Sequence, residues 1–315
     1  SRDLAAQLMA EGTYRRVSSE PNPQRASEML KTGQAAVVIV IEAGYGQNVA
    51  RGTGGTIQVM VDGTDPNRAQ IALQTATQLS SAQSLGLLAQ KAKSTYGTSS
   101  IGSIRLSPRI LYNPSMKSAT YMVPGVAAMI LLIVTTIVTA MGITREREIG
   151  TLEQILVSPL PPWILLLGKC LPFAFVGQIQ VFAILAVGSF LFDVPLRGSM
   201  LLVGVATGLY LMTTLGVGVF ISTVSRSQQQ AILGGFFFLM PAILLSGFMT
   251  PIQNMPAWLR PLTYLNPVRY FVEIIRGCLL KGASFGDLWF QLTALLIFGV
   301  LILTASAMRF RKTLS

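Results

Sequence analysis

With 315 residues, 51% of them hydrophobic and 12% charged, and a mean hydropathy of +0.56, the chain carries about half the charge usual in a soluble domain, which excludes a wholly water-borne protein and points to a membrane. The net charge of +11 does not mark a nucleic-acid binder, because the basic residues are scattered and gather only at residues 309–312, behind an apolar run, as cytoplasmic flanks of membrane helices do. The absence of histidine and the presence of only two cysteines, Cys170 and Cys278, remove the commonest general base and leave no set of metal ligands, so no metal or cofactor is expected on this chain.

Residues 1–119 hold 12 of the 24 Lys and Arg and 7 of the 13 Asp and Glu, and read as a mixed α+β domain. The β-branched runs 35–41 and 56–63 predict strands, the second closing on the turn signal Asp62-Gly63. A long helix follows, with Asp65 as its cap and Pro66 at its first position. Residues 103–114 read as a further extended piece.

Five later segments are long and apolar enough to cross about 30 Å of hydrocarbon as helices, at 121–143, 163–192, 200–224, 231–250 and 288–308. Arg145, Arg147, Lys169, Arg226 and the 309–312 cluster fall on one side, which the positive-inside rule assigns to the cytoplasm. Arg260, Arg269, Arg276 and Lys281 fall on the other. Five crossings with a cytoplasmic C-terminus place residues 1–119 outside, although no apolar stretch precedes them to carry them across. The expectation is therefore an α-helical polytopic membrane protein, five spans here and six in the natural protein, with an N-terminal α+β extracytoplasmic domain (1–119) and a transmembrane domain (120–315). The two cysteines then lie on opposite faces as free thiols.

Between the first two spans, residues 144–162 interrupt the apolar chain with five charges and three prolines. Arg145, Glu146, Arg147, Glu148 and Glu153 give a polar face, Ile149, Leu152, Ile155 and Leu156 recur at helical spacing, and Pro159, Pro161 and Pro162 end the piece. It reads as a short lever along the bilayer or as an ordinary interfacial helix with solvated charges. No phosphate-binding loop occurs; the nearest match, Leu165 to Cys170, lacks the first glycine and the hydroxyl residue. The span interiors carry no charge, only polar side chains such as Thr135, Thr136, Thr139, Gln178, Gln180, Thr207, Tyr210, Thr213 and Thr214, which disfavours an ion-coupled carrier. Force has to come from another protein.

Further along, Gly204 and Gly208 form a close-packing pattern suited to a helix or subunit interface. The run 234–241 mixes two glycines with Pro241, as a hinge or a kink would. Residues 251–282 predict two short amphipathic helices broken at Asn266-Pro267 and lying at the outer surface, with Arg269, Glu273 and Arg276 spaced for one ion-pair row. The alternative is snorkelling side chains around a belt of Trp258, Tyr264, Tyr270 and Trp289.

Three stretches carry a resemblance: "REREIGTLEQILVSP" (145–159), "LLSGFMTPIQNMPAWLRPLTYLNPVRYFVEIIRGCLLKG" (244–282) and the "VDGTD" turn (61–65) of the first domain. Together they resemble the type-2 ABC transporter permeases, the membrane subunits of ATP-driven exporters, in the drug-efflux branch with a large outer domain. The resemblance implies that residues 145–159 are a coupling helix docking on an ATP-binding subunit through Arg145, Glu146, Arg147, Glu148, Gly150, Thr151, Glu153 and Pro159, with Gly150 permitting close approach. It implies re-entrant helices at 251–282 that gate the outer end, with Pro256, Trp258, Arg260, Pro267, Arg269, Glu273 and Arg276. Thr135, Thr139, Gln178, Gly204, Gly208, Tyr210 and Thr214 become candidates for the pathway or the subunit interface. ATP and Mg would be held by the partner subunit. A second permease subunit, like or unlike, a periplasmic adaptor and the lipid of the plasma (inner) membrane complete the expected partners, and the cargo would be amphipathic, drug-like or lipid-like. The alternative is a membrane-anchored scaffold whose outer domain docks an envelope partner.

Overall fold

The computed structural model describes residues 17–20, 22–51, 55–94, 104–151, 162–250, 252 and 255–312. The chain divides into two units, Ser1–Ser118 and Ala119–Ser315. In the first, α1 (Pro23–Lys31), β1 (Val37–Ile41), α2 (Tyr45–Arg51), β2 (Gly55–Asp62), α3 (Pro66–Ser94) and β3 (Ile104–Leu111) follow in order. Strand β2 is central, antiparallel to β1 with Val59 opposite Ile39 and parallel to β3 with Ile57 opposite Leu106. A parallel neighbour requires a crossover, and α3 supplies it. Ile57, Val59 and Val61 share one face of β2 by the two-residue period, and pack on Ala69, Ala72 and Ala76 of α3. Two aspartates set the entry to that helix. Asp62 Oδ1 accepts from the Thr64 amide (3.0 Å) and hydroxyl (2.7 Å), and Asp65 Oδ1 accepts from the Arg68 amide (3.3 Å), leaving Pro66 at the first helical position.

The second unit contains α4 (Ser118–Ile149), α5 (Pro162–Phe192), α6 (Met200–Val224), α7 (Gln228–Leu244), the single turn α8 (Arg260–Thr263), α9 (Pro267–Arg276) and α10 (Trp289–Lys312). Four of these, α4, α5, α6 and α10, are long and apolar enough to cross a membrane. Helix α7 has 17 residues, about 26 Å of rise, at the lower limit for a crossing. The span expected from the apolar run extends to residue 250. The helix stops earlier because Pro241 lies three residues from its end, the Ser246 amide turns back onto the Ile243 carbonyl (3.3 Å), and Gly247 takes a positive φ of +74°.

Helices α4, α6 and α10 run parallel. Thr135 of α4 bonds Thr214 of α6 (2.9 Å), Arg147 near the end of α4 reaches the end of α6, and Ser306 of α10 donates to the Gly216 carbonyl of α6 (2.7 Å). Helix α5 runs the other way, with Gly188 facing Val123 and Gly142 facing Phe173. More than half of the spanning windows of α4 and α6 is buried, against about a fifth for α5 and α10 (56%, 61%, 22% and 17%). Helices α4 and α6 therefore form the core, while α5 and α10 turn apolar faces outward. With no water in a bilayer to reward burial of such faces, lipid or another apolar chain satisfies them equally.

Helix α9 is sunk into the bundle: Val268, Phe271, Ile274 and Ile275 are fully buried, as is Leu280 in the π-turn Gly277–Lys281 that continues it. Its polar stripe is one residue wide, Arg269, Glu273 and Arg276, so the rest of its circumference is free to sink into the bundle.

Candidate functional site

The charged stretch after the first span is not a separate helix from Arg145 onward. Arginine and glutamate are good helix formers, so α4 continues beyond Ile143, where the apolar run ends, to Ile149. Gly150 stops it, with φ +81° and its amide donating to the Arg147 carbonyl (3.2 Å). A Cβ on Gly150 would meet nothing within 4 Å among the described residues, so within them the glycine is required by the left-handed backbone. Gly150→Ala is expected to cost about 1 kcal/mol, read as a lower melting temperature of the purified protein, with Gly150→Asn losing less because asparagine tolerates that region. The Thr151 hydroxyl donates back to the Glu146 carbonyl (3.2 Å). Glu153 and Pro159 lie outside the described residues.

Three successive side chains of that last turn meet three different helices. Glu146 pairs with Lys169 of α5. Arg147 Nη1 donates to the carbonyls of Ser222 and Ser225 (both 3.1 Å) and Thr223 (3.5 Å). Those carbonyls end α6, where the helix has no internal donors left and its dipole is negative, so a guanidinium fits both by hydrogen bond and by charge. The Glu148 carboxylate accepts from the Gln228 amide (2.9 Å, Oε1) and side chain (2.6 Å, Oε2). Gln228 opens α7, so this anion sits on the positive end of a helix. Arg145 is exposed and makes no ion pair or hydrogen bond with the described residues. The partners of Glu146, Arg147 and Glu148 are 23 to 80 positions away, which no local spacing could reveal.

At the opposite end of the bundle, Asn266 caps α9 through Oδ1 to the Val268 amide (3.2 Å) and donates Nδ2 to the Ala242 carbonyl of α7 (2.7 Å), with Pro267 buried at the first helical position. Pro256 and Trp258 are exposed, and so is Arg260, whose Nε donates to the Met255 carbonyl (2.9 Å). The expected charge row divides. Arg269 pairs with Glu273 (3.0 Å), donates to the Thr263 hydroxyl (2.6 Å) and lies over the Tyr264 ring (4.1 Å). Arg276 instead lies over the Tyr121 ring of α4 (3.7 Å) and donates to the Gly247 carbonyl (3.5 Å), which also accepts from the Tyr121 hydroxyl (3.3 Å). It thereby ties α9 to the start of the first span.

Between the two ends, Thr135, Thr139, Tyr210 and Thr214 are buried between helices of this chain. Thr135 and Thr214 bond each other, and the Tyr210 hydroxyl donates to the Ala128 carbonyl (3.4 Å) while its ring stacks on Phe271 at 4.1 Å and 13°. Gln178 of α5 donates to the Gly204 carbonyl (3.2 Å). A Cβ on Gly208 would meet nothing within 4 Å among the described residues, so of the glycine pair only Gly204 faces a neighbouring helix among them. The tight approach between α4 and α6 is at Gly218, outside that pair: a Cβ there would lie 2.8 Å from the Thr136 carbonyl oxygen.

The family described as ABC-2 family transporter protein matches residues 1–308. The chain is 35% identical over 291 residues to the probable multidrug ABC transporter permease YbhR of Escherichia coli strain K12, covering 92% of this chain and 77% of that protein. It is 31% identical over 293 residues to the probable multidrug ABC transporter permease YbhS of the same strain, covering 92% and 74%. It is 28% identical over 307 residues to the inner membrane transport permease YhhJ of that strain, covering 96% and 80%.

Proposed function

The chain belongs to the ABC-2 family of transporter permeases, and from that premise we propose that it is the membrane subunit of an ATP-driven exporter, working with a second permease and with separate ATP-binding subunits that hold ATP and Mg. The observation that carries this reading is the family match across both units of the chain. On it, the bundle end that gathers Arg145, Arg147, Lys169, Arg226 and Arg309 faces the cytoplasm, and the N-terminal unit lies outside, where a periplasmic adaptor would dock. The segment beyond Gly150 is where the ATP-binding subunit presses. Nucleotide-driven closure moves that segment, the spans shift, and cargo leaves outward between two permeases that meet through faces such as those of α5 and α10. An uncharged interior with scattered hydroxyls suits amphipathic, drug-like or lipid-like cargo better than a small ion.

Purification from native membranes in mild detergent is expected to bring down a chain with a phosphate-binding loop, and the reconstituted complex is expected to expel ethidium from vesicles only with ATP. If no ATPase accompanies the permease, or if the permease alone moves ethidium on a proton gradient, the proposal fails.

A further inference from the structure

We propose that Glu146, Arg147 and Glu148 are a clasp inside the permease, positioning residues that carry displacement of the segment after Gly150 to α5, α6 and α7 together, and not contact residues for the ATP-binding subunit. This rests on the reading of the chain as a permease driven through that segment. Consecutive residues of a helix point about 100° apart, so one turn at the end of α4 fans its side chains toward different neighbours. The fan is filled: Glu146 meets Lys169, Arg147 meets the last carbonyls of α6, and Glu148 meets the first amide of α7.

The second and third grips act on a single corner. Helix α6 ends at Val224 and α7 begins at Gln228, leaving residues 225–227 between them. Arg147 holds the outgoing, negative end of that corner and Glu148 the incoming, positive end. Reversing either charge would set it against the dipole it now satisfies, so the order Arg-Glu is matched to the direction of the chain through the corner. Lys169 has 17% of its side chain exposed and Glu146 36%, so the first grip is partly withdrawn from solvent screening. A push on the chain beyond Gly150 therefore reaches the second span and the α6–α7 corner through charge-assisted bonds. Arg145, exposed on the same turn as Glu148 is but with no side-chain partner among the described residues, is left facing outward.

The test uses the permease co-expressed with its ATP-binding subunit and has two arms. In the first, Glu146→Lys and Lys169→Glu are made singly and together, and permease-dependent ATPase, melting temperature and co-purification of the ATP-binding subunit are read. Each single variant is expected to lower permease-dependent ATPase about tenfold and the double reversal to restore it to within about threefold, with the ATP-binding subunit retained throughout. In the second arm, Glu148→Ala is expected to lose ATPase coupling about tenfold, while Glu148→Gln, which keeps a carbonyl for the Gln228 amide, stays within about threefold of wild type. Failure of the double reversal to exceed Glu146→Lys, release of the ATP-binding subunit by Glu146→Lys, or equal loss with Gln and Ala at 148 overturns the clasp and makes these residues docking contacts. If the wild-type chain recruits no ATPase at all, the permease reading falls instead. The clasp is then decided by melting temperature alone, which the double reversal must recover.

Discussion

Gly218→Val is expected to leave no folded permease. A bare Cβ at this position already lies 2.8 Å from the Thr136 carbonyl oxygen and 2.9 Å from Thr139 Cβ, and the first of these is backbone of a neighbouring span, which cannot swing aside as a side chain would. Overpacking of a tight core costs about 1–3 kcal/mol for small insertions, so Gly218→Ala is expected to lower the melting temperature measurably and valine, with two further methyl groups, to separate α4 from α6. Size-exclusion chromatography of detergent extracts after graded heating reads both. A Gly208→Ala control, where a Cβ meets nothing within 4 Å, is expected to elute and melt as wild type. A monodisperse Gly218→Val protein with an unchanged melting temperature would mean that α4 and α6 do not approach as closely as described. The prediction follows from how membrane helices associate: without a hydrophobic drive between spans, close van der Waals contact through small residues carries much of the affinity.

Tyr210→Ala should cost about 3–5 kcal/mol, the range for deleting a fully buried aromatic side chain. Tyr210 has no exposed surface, stacks on Phe271, which has none either, and so joins the core helix α6 to α9. Tyr210→Phe removes only a 3.4 Å hydrogen bond to the Ala128 carbonyl, worth about 0.6 kcal/mol between membrane helices. Thermal melts of Tyr210→Phe, Tyr210→Ala, Phe271→Ala and the double alanine variant separate the terms. The two alanine effects are expected to fall short of additivity by about 0.5–1.5 kcal/mol, the part that belongs to the ring stack. Equal damage from Phe and Ala at 210 would instead assign the role to the hydroxyl.

Much of the local architecture was legible in advance. The first three apolar runs and the last overlap α4, α5, α6 and α10, because a bilayer demands about 20 apolar residues whatever the neighbours are. The cap at Asp65 and the break at Asn266-Pro267 were likewise readable, since each depends on one side chain bonding backbone two or three residues away. Family membership was readable for a related reason: it resides in short contiguous stretches. The end of the fourth span was harder. A run such as 231–250 is apolar beyond the point where Pro241 and Gly247 redirect the chain, and hydropathy does not register backbone direction.

The fate of the charges at residues 145–148 depended on the fold alone. Amphipathic spacing placed them on one polar face, and a polar face is equally suited to water, lipid headgroups or a partner subunit. Which of these is met is decided by what stands opposite. In the folded chain that is Lys169, the last carbonyls of α6 and the first amide of α7, brought to one place only when four helices are assembled. Helix ends expose unsatisfied amides and carbonyls as an intrinsic property of the backbone, but sequence carries no mark of which side chain will find them. Gly208 and Gly218 show the same division: a glycine's capacity for close approach is chemical and local, whereas its use requires a neighbouring backbone at the right distance, and packing supplies that at Gly218 and not, among the described residues, at Gly208.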